Sequence, residues 1–142
     1  MRNSNVLGRS LVDNTVDESD LVVDAFAGSA RLGESYVPML PHAWYDTAAS
    51  MAGRRAQLCS ILISPDVDIV LTICAIDATA VTVTDIQELR VTGGAGLHLR
   101  DYDRYLCKSD LGTALYAYMS PATANFMLTT VCDIAEVKDG RG

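Results

Sequence analysis

The stretch VTGGAGLHLRDYD, Val91 to Asp103, gathers three glycines, His98 and the pair Asp101/Asp103 into thirteen residues, with Cys107 and Ser109 close behind. These are residue types that catalysis and metal binding use. A nucleophile–base set can be drawn from Ser109 or Cys107 with His98 and Asp101, because strands far apart in sequence can meet. Any domain with a histidine permits that arithmetic, so motif context has to give it weight. G-x-S-x-G is absent, and its nearest echo, Gly28-Ser29-Ala30, lacks the elbow pattern. A dinucleotide fingerprint needs a third glycine opening a helix, whereas Gly94-Ala95-Gly96 runs into Leu97-His98-Leu99, which alternates like a strand. No Gly-Lys-Ser/Thr of a phosphate-binding loop occurs. The glycines therefore read as a strand-to-strand turn that needs positive φ.

With only His42 and His98 as histidines, a multi-histidine metal cage cannot be built, and no cysteine pair has zinc-knuckle spacing. Asp101 and Asp103, with Asp110, offer hard oxygens that could hold calcium incidentally, but the spacing lacks the further acidic positions and terminal Glu of an EF-hand loop. Otherwise they form a solvated turn. His98, flanked by two leucines, points away from them on a strand and reads as a surface or interface residue, and His42 reads as a loop residue. Cys59, Cys74, Cys107 and Cys132 are widely spaced and mostly set in apolar runs, so they read as reduced core residues. Only Cys107, beside Lys108, has a neighbour that could lower its pKa. No cofactor and no catalytic residue is expected.

The elements that would position these residues are almost all strands. Residues 1–19 are polar and acidic and read as an N-terminal arm, leaving 20–142 as a single domain. LVVDAFA is a short strand, followed by a Pro/Gly-punctuated loop over 28–43. WYDTAASMAGRR, Trp44 to Arg55, places Trp44, Ala48, Met51 and Ala52 at helical spacing, which is compatible with one short helix ended by Gly53. Then come QLCSILIS, VDIVLTICAI, TAVTVTDI, QELRV, LHLRD, TALYAYM and NFMLTTVCDI. About eight short strands with Gly, Pro and Asp turns indicate an all-β fold, a β-sandwich or jelly-roll-like architecture, ahead of any α/β fold. IVLTICAI is apolar on both phases apart from Thr72, so it is either a central strand or one that another subunit covers. Alternation in ALYAYM sends Tyr116 and Tyr118 to the face opposite Leu115, Ala117 and Met119, where they either meet a partner or cap the sheet.

Composition narrows the function classes. Of 142 residues, 49% are hydrophobic and 20% charged, which is a globular profile, and rich in apolar surface for one β domain. Excess apolar surface points to self-association. A net charge of −7 opposes direct nucleic-acid binding, which relies on clustered cations. Nine of the eleven basic residues are Arg, which suits hydrogen-bonded pairing at contacts or reflects a GC-rich genome. The N-terminus carries no apolar run of signal-peptide length, and no segment reaches the length of a membrane span, so a soluble protein made in the cytoplasm is expected.

From Glu88 to Val137, ELRVTGGAGLHLRDYDRYLCKSDLGTALYAYMSPATANFMLTTVCDIAEV resembles the small β-sandwich decoration or cement proteins of tailed-bacteriophage heads. The shared features are a glycine turn, a short strand, the hairpin-like LYAYMSPATANFMLTTV and a closing Glu-Val. The resemblance implies a non-enzymatic structural protein of the virion head shell, which forms a dimer or trimer and clamps a major capsid protein lattice with extended arms. Expected contact residues are Tyr36, Met39 and Trp44 in the long loop and Tyr116 and Tyr118 on the strand face, since aromatics and methionine dominate interface cores. The competing expectation is a carbohydrate- or small-ligand-binding β-sandwich module, with Trp44 or the tyrosines as a stacking platform and Asp101/Asp103 as polar or calcium contacts.

Overall fold

The structure, a computed structural model, describes residues 11–20, 22–23, 35–40, 53–76, 83–109, 112–121 and 123–136. Among them are ten strands: β1 (Leu11–Asp17), β2 (Val22–Val23), β3 (Ser35–Pro38), β4 (Arg54–Pro65), β5 (Ile69–Ile76), β6 (Val83–Val91), β7 (Leu97–Arg100), β8 (Cys107–Lys108), β9 (Ala114–Ser120) and β10 (Phe126–Glu136). Every pairing is antiparallel. The front sheet runs β1-β10-β4-β7, with β8 on the same side of β4 as β7, and the back sheet runs β2-β3-β9-β5-β6. The protein is an all-β sandwich.

Period-two alternation builds the core between the sheets. From the front come Leu58, Ile61, Ile63, Phe126, Leu128, Cys132 and Ile134, and from the back Val37, Leu71, Ile73, Leu115, Ala117 and Met119, all buried in one cluster. In β4 the inward phase shifts at Cys59, where the register against β10 slips between Val131 and Cys132. That bulge keeps Leu58 and Ile61, which are three apart, on the same face. IVLTICAI is a central strand, β5, between β6 and β9.

The N-terminal segment is less of an arm than its polarity suggests. Seven residues of β1 pair with β10 from Leu11↔Asp133 to Asp17↔Met127, and a 3-10 turn follows at Glu18–Asp20. Val16 enters the core, while Asn14 Nδ2 donates to the Pro38 carbonyl at 3.0 Å and ties the front sheet to the back. The outward phase Asp13-Thr15-Asp17 is polar because it faces water at a sheet edge, which hides the alternation. The expected boundary at residue 19/20 thus falls inside the sandwich.

Three further expectations change. The described end of TAVTVTDI, from Val83 onward, and QELRV join into one strand, β6, bulged at Ile86 because Ile73 pairs Gln87 while Cys74 pairs Asp85. Within the 28–43 loop, Ser35–Pro38 is a strand and Met39 acts as a stitch. Its N–H donates to Leu115 O in the back sheet at 3.1 Å, and its carbonyl accepts from Thr130 Oγ1 at 2.8 Å and Cys132 Sγ at 3.7 Å in the front sheet. The segment resembling a hairpin is a crossing instead, since β9 lies in the back sheet and β10 in the front, joined through a cis Ser120–Pro121 bond. The proposed helix from Trp44 lies outside the described residues except for its end, where Gly53 turns at φ 70° and Arg54 opens β4.

The glycine stretch is a turn, and it carries the chain from the back sheet to the front. Gly94 and Gly96 have φ of 80° and 75°, and Gly96 N–H closes the turn on Thr92 O at 3.1 Å. A Cβ at Gly93 would lie 2.5 Å from the Val67 backbone, so this turn packs directly on the other crossing, between β4 and β5. Gly94 N–H to Pro65 O at 2.9 Å and Gly93 N–H to Asp68 Oδ1 at 2.8 Å lock the two crossings together.

Candidate interaction surface

The residues that could have formed a nucleophile–base set are held apart. His98 pairs opposite Leu62, Cys107 opposite Leu58, and Ser109 N–H bonds Ala56 O, so they spread along β4. At about 3.3 Å per residue His98 lies roughly 13 Å from Cys107 and nearer 20 Å from Ser109. The Ser109 hydroxyl is structural: it accepts from Ala56 N–H at 2.9 Å and donates to Thr113 O at 3.0 Å. Cys107 turns into the sandwich, and burial pushes its thiol up to about 12, opposite to the lowering that its lysine neighbour suggests. Asp101 Oδ1 caps its own turn, accepting from Asp103 and Arg104 N–H at 3.1 and 2.9 Å. Among the described residues no group of three or more His, Cys, Asp or Glu is placed to hold a metal ion. All four cysteines are thiols rather than halves of a disulfide.

The expected contact residues divide. Tyr36 and Met39 are 2% and 0% exposed, so both belong to the chain's own interior, and Trp44 lies outside the described residues. Tyr116 and Tyr118 do share the outer face of the back sheet, where Tyr36 meets their rings edge-on at 6.5 and 5.6 Å. Tyr118 OH donates to the Asp85 carboxylate, 3.1 Å from each oxygen, while Cys74 beneath is fully buried. Burial also raises the Tyr116 phenol. This face is closed at Tyr36, Thr72 and Cys74 and half-buried at Tyr116 and Tyr118.

The outer face of the front sheet is different, and the register builds it row by row. Met127 lies between Asp17 and Ser64; Thr129 lies between Thr15 and Leu62, with His98 beyond; Val131 lies between Asp13 and Ser60, with Arg100 beyond; Asp133 lies between Leu11 and Gln57, with Lys108 beyond. Met127 is 52% exposed, Leu11 49% and Leu62 41%, on a phase that otherwise mixes Ser and Thr with Val131 and charged or amide side chains. One corner is closed. Tyr105, held at φ 66°, reaches across β4 to donate from its hydroxyl to Asp133 Oδ2 at 3.0 Å, with Lys108 Nζ 5.8 Å from its ring centre. That roof leaves Asp133 4% exposed.

The charges on this face are segregated. The β1 edge carries Asp13 and Asp17, continued by Glu18 and Asp20, and the Ser19 hydroxyl and N–H on Asp17 hold its carboxyl below the usual range. The opposite edge carries His98, Arg100 and Lys108, beside a loop holding Asp103 and Arg104. Leu62, Thr129, Val131 and Met127 lie between. Sequence reasoning missed this surface, although a leucine between Ser60 and Ser64 on the polar phase was the available signal. Comparison with protein-family models, curated proteins and solved structures finds no match, so the sandwich and its surface stand on their own geometry.

Proposed function

We propose that this chain is a non-enzymatic structural protein, a cement or decoration component of a viral head shell that self-associates and binds a major capsid protein lattice. The observation that carries the reading is the front sheet's outer face, where Leu62 and Met127 stand exposed among Thr and Val on a five-stranded sheet. An open and partly apolar sheet face suits protein–protein contact. The all-β sandwich fits the architecture of the phage proteins that the C-terminal half resembles, and the tie of β1 to both sheets suits a mechanical role. Heads assembled without the protein should lose resistance to heat, read as the temperature at which they release their contents. Heads equally resistant without it would overturn the reading.

A further inference from the structure

The free edge of β6 is the first place to look for a contact, being nine residues long and paired on one side only among the described residues. It carries Asp85, Glu88 and Arg90 and a bulge at Ile86, which are the devices that keep edges from pairing. The front face instead sets Leu62, Thr129, Val131 and Met127 between its two charged edges.

We propose that the outer face of the front sheet docks on the same face of a second copy, with the two-fold axis lying between the sheets and parallel to their strands. This rests on the self-association in the reading above and adds its surface and geometry. Rotation about an axis parallel to the strands lays β1 of one copy over β7 of the other, and β10 over β4. Asp13 then faces Arg100 of the second copy, because both lie in the row through Val131 and Ser60, and symmetry repeats the pair. Thr15 faces His98 in the next row, while Met127, Thr129 and Val131 lie over the strand that presents Leu62. A two-fold perpendicular to the strands would instead set the acidic edge on the acidic edge, so the charge pattern selects one of the two face-to-face arrangements.

The expected strength follows from size. Four strands about 4.8 Å apart and three open rows about 7 Å apart give roughly 400 Å² per copy. That is the scale of a weak, reversible contact, visible as a mass that changes on dilution. Tyr105 covers Asp133 in the fourth row of each copy and bounds the contact there.

Light scattering across a dilution series reads the association of the full chain. Asp13→Arg and Arg100→Asp, both at exposed positions, should each weaken the dimer by about tenfold or more, since each reversal acts at two symmetric contacts. The double variant D13R/R100D should return to within about threefold of the unaltered protein. Leu62→Glu, which leaves both charges in place, should also dissociate it. A wild-type chain that stays monomeric at every concentration would overturn the proposal, as would single reversals that leave the mass curve unchanged. So would a double variant that folds, by circular dichroism, without regaining the dimer. Heat resistance of heads is a separate readout. A dimer on this face with heads unaffected removes the shell reading alone, and a head-stabilising monomer removes this proposal alone.

Discussion

The sandwich has two outer faces of similar chemistry and opposite fate. On the back sheet Tyr36, Thr72 and Cys74 point outward and are nonetheless buried, with Tyr116 and Tyr118 partly covered beside them. On the front sheet Leu62 and Met127 also point outward, and they remain exposed. Apolar residues on the outward phase of a strand therefore do not by themselves mark an interface. What separates the faces is whether the chain itself has already covered them. On the back, that burial contributes to folding; on the front, the proposed self-association would supply it.

That contrast can be broken by mutation, and the largest effect is expected on the closed face. Tyr36→Ala should destabilise the fold by about 3–5 kcal/mol in denaturant unfolding, as loss of a fully packed ring does. A loss below about 1 kcal/mol would mean that the back face is open after all. Next comes the closed corner of the front face, where Tyr105→Phe leaves the buried Asp133 carboxylate one donor short. A loss of about 1–3 kcal/mol is expected, with added mobility in the loop after Arg100.

Cys107 sharpens the comparison through pH. Its ionisation is displaced from 9.0 to about 12 by burial, so alkylation of the native protein at pH 8 should be about a thousandfold slower than that of an ordinary thiol. The sign follows from the neutral form being the one that is buried. Its contribution to stability is complete below pH 9 and declines between pH 9 and about 12. Fast native labelling at pH 8 that assigns to Cys107 would contradict this placement. The smallest effect belongs to the open face, where Met127→Ala should change monomer stability by no more than about 0.5 kcal/mol while weakening self-association. A large loss of stability there would show Met127 to be part of the core.

The parts legible in the sequence are those where one strand's alternation decides the outcome. Apolar alternation in β9 and β10 and the apolar run of β5 announce an all-β sandwich, and Gly94 and Gly96 announce the turn between β6 and β7. The strand of Leu11 to Asp17 was hidden because an edge strand needs apolar residues only where it touches the core, here chiefly at Val16. Ser35 to Pro38 was hidden between glycines and prolines, and its assignment depends on Tyr116 and Ala117, about eighty residues later, for pairing. Two of the proposed contact residues, Tyr36 and Met39, failed as surface groups for the same reason: residue type records a preference for burial and does not say against what. The segregated charges of the front face could not be read at all before the register set Asp13 and Arg100 in one row, because they are distant in sequence and separated by two intervening strands.

The most direct measurement is oxidative footprinting of the methionines as a function of protein concentration. Met127 is 52% exposed, whereas Met39 and Met119 are 0% and 3% exposed, so the last two serve as internal references. Met127 is expected to oxidise readily in dilute solution and to become protected as concentration rises, while Met39 and Met119 stay protected throughout. Oxidation of Met127 at the same rate at every concentration, in a sample whose mass shows association, would place the contact elsewhere and contradict the front-face docking.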